Sequence, residues 1–145
     1  MKDKLLSKQG WVILLICIIS FFINNRVVVP DIMEARNTVT AREMVHDGNW
    51  LVPTMNGDLR LEKPPLPTWL TAVAEMISPD NLALQRAMAG FAAILLVAFF
   101  YLTAVQVMRN KRYAFISTIL LCTCYNIILM GRTASWDIYC HAFMM

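Results

Sequence analysis

Between Asp31 and Lys63 the chain gathers carboxylates and cations into a polar segment with long apolar runs on either side. Asp31 and Glu34 stand three residues apart, so on a helix of ~3.6 residues per turn they share one side and can converge on one site. Arg36 falls about 200° from Glu34 on such a helix, and Lys63 lies further along the same segment. These residue types move protons and hold developing charge. Each also has a plainer reading: helix capping for Asp31, a surface ion pair for Glu34 and a snorkelling headgroup contact for Lys63. Charge kept at a membrane surface points to chemistry there.

The flanking runs have membrane dimensions. A first span is expected over 11–29, with an apolar core from Trp11 to Phe22 broken only by Ser20, close to the ~20 residues needed to cross a bilayer. The preceding lysines resemble the n-region of a secretory signal, but no small-x-small cleavage site follows, which favours an uncleaved anchor. Further spans are expected over 87–107 and 113–130, separated by the basic turn Met108-Arg109-Asn110-Lys111-Arg112. The N-terminal tail is net plus two and this turn plus three, whereas 31–86 carries eight acids against five bases. The positive-inside rule therefore places the N-terminus and the turn in the cytoplasm and the 30–86 loop outside. Only 16% of residues are charged, below the ~25% of soluble domains. The basic excess follows from topology and carries no nucleic-acid signal.

Within the loop, Pro30 and Asp31 look like a helix start and Gly48 like its stop. Ile32, Val39, Met44 and Val45 give this helix an apolar surface suited to lying in the interface plane. Trp50 suits the headgroup boundary, Asn56-Gly57 makes a tight turn, and Pro64-Pro65-Leu66-Pro67 is expected to be extended before a short helix over 68–77.

Glu34-Ala35-Arg36, Ala41-Arg42-Glu43-Met44, Gly48-Asn49-Trp50-Leu51-Val52-Pro53, Asn56-Gly57 and Glu62-Lys63-Pro64-Pro65-Leu66-Pro67-Thr68-Trp69-Leu70 together resemble the first outward loop of the aminoarabinose transferase and protein O-mannosyltransferase superfamily, glycosyltransferase family 39. The pattern is most similar to the bacterial undecaprenyl-phosphate aminoarabinose transferases that modify lipid A. The resemblance covers nearly the whole chain after Pro30. It implies an all-α integral membrane protein of GT-C fold, here three transmembrane helices, interfacial helices in a catalytic first loop and the start of a fourth element. It also implies a polyprenyl-phosphate sugar donor, an acceptor such as lipid A, another glycan or a protein, and multi-pass residence in the bacterial inner membrane with the loop periplasmic. The family's Asp-Glu-x-Arg motif has Asp directly before Glu; here that position is Met33 and the nearest Asp is Asp31.

On this resemblance Lys63 and then Arg36 bind the donor phosphate, whose charge must be held as the glycosidic bond breaks. Asp31 and Glu34 are the catalytic carboxylates, accepting a proton or steadying charge at the anomeric carbon in a single inverting displacement. A phosphate acceptor with a second pKa of ~6 hardly needs a base, and the carboxylates then chiefly bind the sugar's ammonium, whereas a Ser or Thr hydroxyl requires one.

Arg132 and Asp137 follow the third span at its outward end. Asp137 extends the acidic site, or else pairs with Arg132 or is solvated at the rim. No metal is assigned to His46 or His141; a divalent metal is possible at Glu62, though no spacing demands one. Cys17, Cys122, Cys124 and Cys140 have neither zinc nor redox spacing and read as small buried hydrophobes. The chain ends as a fourth apolar element begins, so 1–145 is expected to be the N-terminal part of a longer glycosyltransferase and inactive by itself. A protein O-mannosyltransferase-like enzyme, a transporter and a small membrane assembly subunit are the alternatives. Transporters show broken helices and repeated halves near the midplane, whereas here the charge clusters in an outward loop.

Overall fold

Among the described residues, seven helices and one small hairpin follow in the order α1 (Lys2–Phe22), α2 (Ile32–Asp47), β1 (Thr54–Met55), β2 (Asp58–Leu59), α3 (Pro65–Ile77), α4 (Leu82–Met108), α5 (Lys111–Cys122), α6 (Tyr125–Gly131) and α7 (Asp137–Met144) in a computed structural model. It describes residues 2–27 and 29–145, with side chains from residue 8 onward apart from residue 28. The side chains of the basic tail over 1–7 and Val28, within the expected first span, lie outside the described residues.

The expected spans are refined at their ends. α1 stops at Phe22, seven residues short of Val29, because Asn24 takes a left-handed φ of 56° and turns the chain. Asn tolerates that region far better than the β-branched valines beyond it. α4 is the one described helix long and apolar enough to cross a membrane unaided. The expected third span divides into α5 and α6, bent by 62° at a short break. Thr118 and Thr123 donate to the carbonyls of Ala114 and Ile119 at 2.7 and 3.0 Å, a back-bonding that bends helices. By length and composition the span count is thus one, or two if the bent pair counts as one span, with α1 supplying a shorter apolar helix over Lys8–Phe22.

The apolar core forms along α4, which packs against α1, α5 and α7. Ile13, Cys17 and Phe21 pack against Ala89, Ala93, Leu96 and Val97, with Ile138 and Tyr139 closing the group. Alanines and Gly90 on α4 let neighbouring helices approach closely, as apolar helices in a bilayer require. At Gly131 an added Cβ would stand 2.7 Å from the Phe21 ring and 2.9 Å from the Ala93 methyl. Trp11, Leu15 and Ile19 form an exposed stripe at four-residue spacing along α1.

The loop between α1 and α4 is more tightly built than its composition suggests. α2 begins at the Asp31 N-cap and ends at Gly48, which adopts φ 74°, as the sequence predicts. Its covered face differs from expectation. Glu34, Asn37, Thr40, Ala41 and Met44 are buried, while Ile32 is 72% exposed. Asn56 and Gly57 both have positive φ, 55° and 81°, the turn that matches a hairpin's twist, and β1 pairs with β2 across it. The proline run is not extended throughout: Pro65 and Pro67 lie in the first turn of α3, where a missing N–H costs nothing.

Candidate functional site

α2 presents two polar faces with different tasks. Glu34, Asn37 and Ala41 are spaced to face inward, and the Glu34 carboxylate is wholly buried. It receives Arg86 Nε and Nη2 at 2.7 Å each and the Ala134 amide at 2.9 Å. Asn37 donates to the Ala134 carbonyl at 2.8 Å and to Thr71 at 3.0 Å, and accepts from Thr68 at 2.8 Å. Two α2 side chains therefore hold both polar groups of residue 134. They lock the turn after α6, and with it Trp136, against the loop.

That arrangement alters the reading of the carboxylates. Glu34 has an ion pair, but a buried one, with Arg86 across 52 residues of sequence. Asp31 is exposed and one oxygen accepts the Glu34 amide at 2.6 Å. The expectation that both converge on one open site is not met: Glu34 is sequestered inside and Asp31 caps the helix at its surface. A bidentate guanidinium outcompetes solvent only where both partners are desolvated together, and the sequence gives no hint that Arg86 is that partner.

The second face of α2 carries Met33, Arg36, Thr40 and Glu43 at helical spacing. Glu43 pins the hairpin, accepting from Thr54 Oγ1 at 2.8 Å and from the Asn56 amide at 2.5 Å. Arg60 then reaches back, its Nη1 donating to the Arg36 carbonyl and to Thr40 Oγ1, both at 2.7 Å. Its guanidinium lies 4.9 Å from the centre of the Trp136 ring, and Lys63 Nζ lies 5.8 Å from the same ring. Both distances suit attraction of a cation to an indole face. Thr40, Pro53, Arg60, Lys63, Thr68 and Trp136 line a small open niche of about 10 Å³, room for one water. A larger cleft of about 190 Å³ adjoins through Arg60, with Arg36, Asn56, Asp58 and Glu62 in its wall.

Among the described residues, Arg36, Arg60 and Lys63 have no carboxylate within ion-pair distance, whereas Arg42 is paired with Glu75 and Asp80 and Arg86 with Glu34. Burial lowers the Arg60 pKa from its usual range, Glu62 raises it and Arg36 lowers it. The structure thus gathers Lys63 and Arg36, singled out from sequence, around Arg60 and Trp136, which were not. A Gly-Asp-Leu-Arg segment after a hairpin turn is no recognisable signal, and Trp136 is some 70 residues away in sequence from Lys63. Asp137 is exposed directly after Trp136. Arg132 does not pair with it among the described residues; it donates instead to the Ile23 carbonyl, tying the end of α1. No group of three His, Cys, Asp or Glu suited to a metal occurs among the described residues. Cys17 and Cys122 are buried with sulfurs 3.8 Å apart, while Cys124 and Cys140 are exposed rather than buried.

Residues 10–145 match the description of the dolichyl-phosphate-mannose-protein mannosyltransferase family. The chain belongs to that family. Undecaprenyl phosphate-alpha-4-amino-4-deoxy-L-arabinose arabinosyl transferases are similar to it: that of Pseudomonas savastanoi pv. phaseolicola (strain 1448A / Race 6) is 34% identical over 92 residues, covering 63% of this chain and 17% of that protein. That of Shewanella sediminis (strain HAW-EB3) is 31% identical over 108 residues, covering 74% and 19%. The crystal structure of ArnT from Cupriavidus metallidurans bound to undecaprenyl phosphate superposes with a TM-score of 0.78 over 99% of this chain and 26% of that one, at 18% identity. The fold of that structure is therefore shared over 99% of this chain, which spans about a quarter or less of the length of these proteins. Family membership together with the α4 span makes this a membrane protein.

Proposed function

We propose that this chain supplies the donor site of an integral membrane glycosyltransferase that moves a sugar from a polyprenyl-phosphate donor to an acceptor at the outer side of the bacterial inner membrane, with transfer of aminoarabinose type to lipid A as the specific reaction. The observation that carries the reading is the cluster of cations without carboxylate partners on the loop, Lys63 and Arg36 with Arg60, held against Trp136. Cations that a hydrogen-bonded scaffold assembles without an ion-paired carboxylate, Glu62 acting on Arg60 only from a distance, suit an incoming anion, and a phosphate leaving group is held by such donors as the bond to the sugar breaks. The aminoarabinosyl transferases among its relatives support the sugar. The charge asymmetry supports the orientation, with the loop outward and the α4–α5 turn, which carries Arg109, Lys111 and Arg112, on the cytoplasmic side.

The carboxylate on the sugar side is assigned to Asp137 first and Asp31 second. Asp137 is exposed and adjoins Trp136 in sequence, whereas Asp31 already spends one oxygen on the α2 cap. Glu34 acts through Arg86 and residue 134, as a positioning residue. Met33, 44% exposed on the face that carries Arg36, brings no charge to the slot one turn before Arg36. Transfer in the full-length protein tests the reading. Lys63→Ala is expected to abolish transfer and weaken donor binding, and Lys63→Arg to keep charge yet lose much activity through altered geometry. Near-normal turnover in Lys63→Ala would make the residue a headgroup anchor.

A further inference from the structure

We propose that Arg60 is itself a ligand of the donor's phosphate, the member of the cation cluster that no sequence motif marks; this rests on the donor-site reading above. Among the described residues two arginines are more than nine-tenths buried, Arg86 at 0% and Arg60 at 7% exposure. Burying a guanidinium without a counter-charge is costly. Arg86 meets that cost internally, presenting its Nε and Nη2 edge to both oxygens of Glu34. The same edge of Arg60 has no protein partner among the described residues and stays open to solvent, unlike the buried Trp136 Nε1; only Nη1 is bonded, to the Arg36 carbonyl and Thr40. Those two bonds fix the plane of the guanidinium and leave Nε and Nη2 as the fork that matches a phosphate's oxygens.

The surroundings favour an anion further. Arg60 and Lys63 sit against one indole ring, and Arg36 lies close enough to disfavour charge on Arg60. A ring quadrupole attracts cations but does not neutralise them; Glu62 supports the charge on Arg60 from a distance but makes no ion pair with it, so the desolvated guanidinium still lacks a contacting anion. The Trp136 ring nitrogen is also buried without a partner. Docking the hairpin onto α2 explains the two Nη1 bonds, but an uncharged amide could make a hydrogen bond to Thr40 as well. The charge itself needs a different explanation.

Binding of undecaprenyl phosphate to the full-length protein in nanodiscs, measured beside undecaprenol, tests this. Wild type should prefer the phosphate, with affinity rising as pH increases through the second phosphate ionisation near ~6. Arg60→Gln, which keeps a donor for Thr40, should weaken phosphate binding about 10- to 100-fold, leave undecaprenol binding unchanged and shrink the pH-dependent rise. A purely structural residue would not move that rise. If Arg60→Gln does not fold, Arg60→Lys is measured instead and should bind the phosphate roughly 3- to 10-fold more weakly, since a point charge replaces the fork. A wild type that binds both lipids equally overturns the donor-site reading. A wild type that prefers the phosphate, with variants of unchanged affinity, overturns the role of Arg60 alone.

Discussion

Replacing Glu34 and Arg86 singly and together measures what holds the loop between α1 and α4 in place. Both side chains are fully buried, and the Glu34 oxygens serve Arg86 Nε, Arg86 Nη2 and the Ala134 amide at 2.7, 2.7 and 2.9 Å. Arg86 also donates to the Asn25 carbonyl at the end of α1. Arg86→Met leaves a buried carboxylate with one amide, and Glu34→Leu leaves a buried guanidinium with one carbonyl. Either is expected to destabilise the protein by about 3–5 kcal/mol, the usual consequence of breaking a buried pair. The double variant removes both charges. Its remaining penalty is chiefly the orphaned Ala134 amide, about 1–3 kcal/mol, so the two substitutions should couple by at least roughly 3 kcal/mol instead of adding. Against a total stability of ~5–15 kcal/mol, the single variants should show a large loss of melting temperature in detergent and the double variant a partial recovery. A double-mutant cycle by thermal or denaturant unfolding decides it. Single losses below about 1 kcal/mol, or strict additivity, would show that the pair does not hold the loop to α4 and the 132–136 turn.

Gly131→Ala drives a methyl to within 2.7 Å of the Phe21 ring and should cost about 1–3 kcal/mol in unfolding measurements through overpacking, whereas Gly10→Ala, with nothing within 4 Å of the added atom, should be neutral or slightly stabilising through helix propensity. A thiol-labelling reagent that does not cross membranes should modify a cysteine placed at Asn56 from outside intact cells and fail at Asn110; the reverse pattern would refute the outward loop. For the carboxylates, Asp137→Asn should reduce transfer with the protein still folded, while Asp31→Asn, which retains a capping acceptor, should lower it less. If a carboxylate is the general base to a hydroxyl acceptor, its loss should cost about 100- to 10,000-fold in rate and remove the acidic limb of the pH profile; with a phosphate acceptor the limb should persist near ~6. Full activity in both variants would place the carboxylate elsewhere.

The sequence by itself determined what local chemistry dictates. The α2 boundaries at Asp31 and Gly48, the Asn56-Gly57 turn and the apolar α4 were legible because a cap, a left-handed turn and a hydrophobic run each act through neighbouring residues. The kinship was legible for the same reason, since its motifs lie close together in one loop. Prolines at the start of α3 misled, because Pro is compatible both with extended chain and with a first helical turn. Tertiary structure decided which charges are spent on the fold. Glu34 and Asp31 are equivalent as letters, yet only packing brings Arg86 and the Ala134 amide to Glu34 from 52 and 100 residues away. It likewise decided that Arg60 shares an indole ring with Lys63. Desolvation and long-range pairing depend on what surrounds a side chain in space, and residue order alone does not encode that for a reader of single positions.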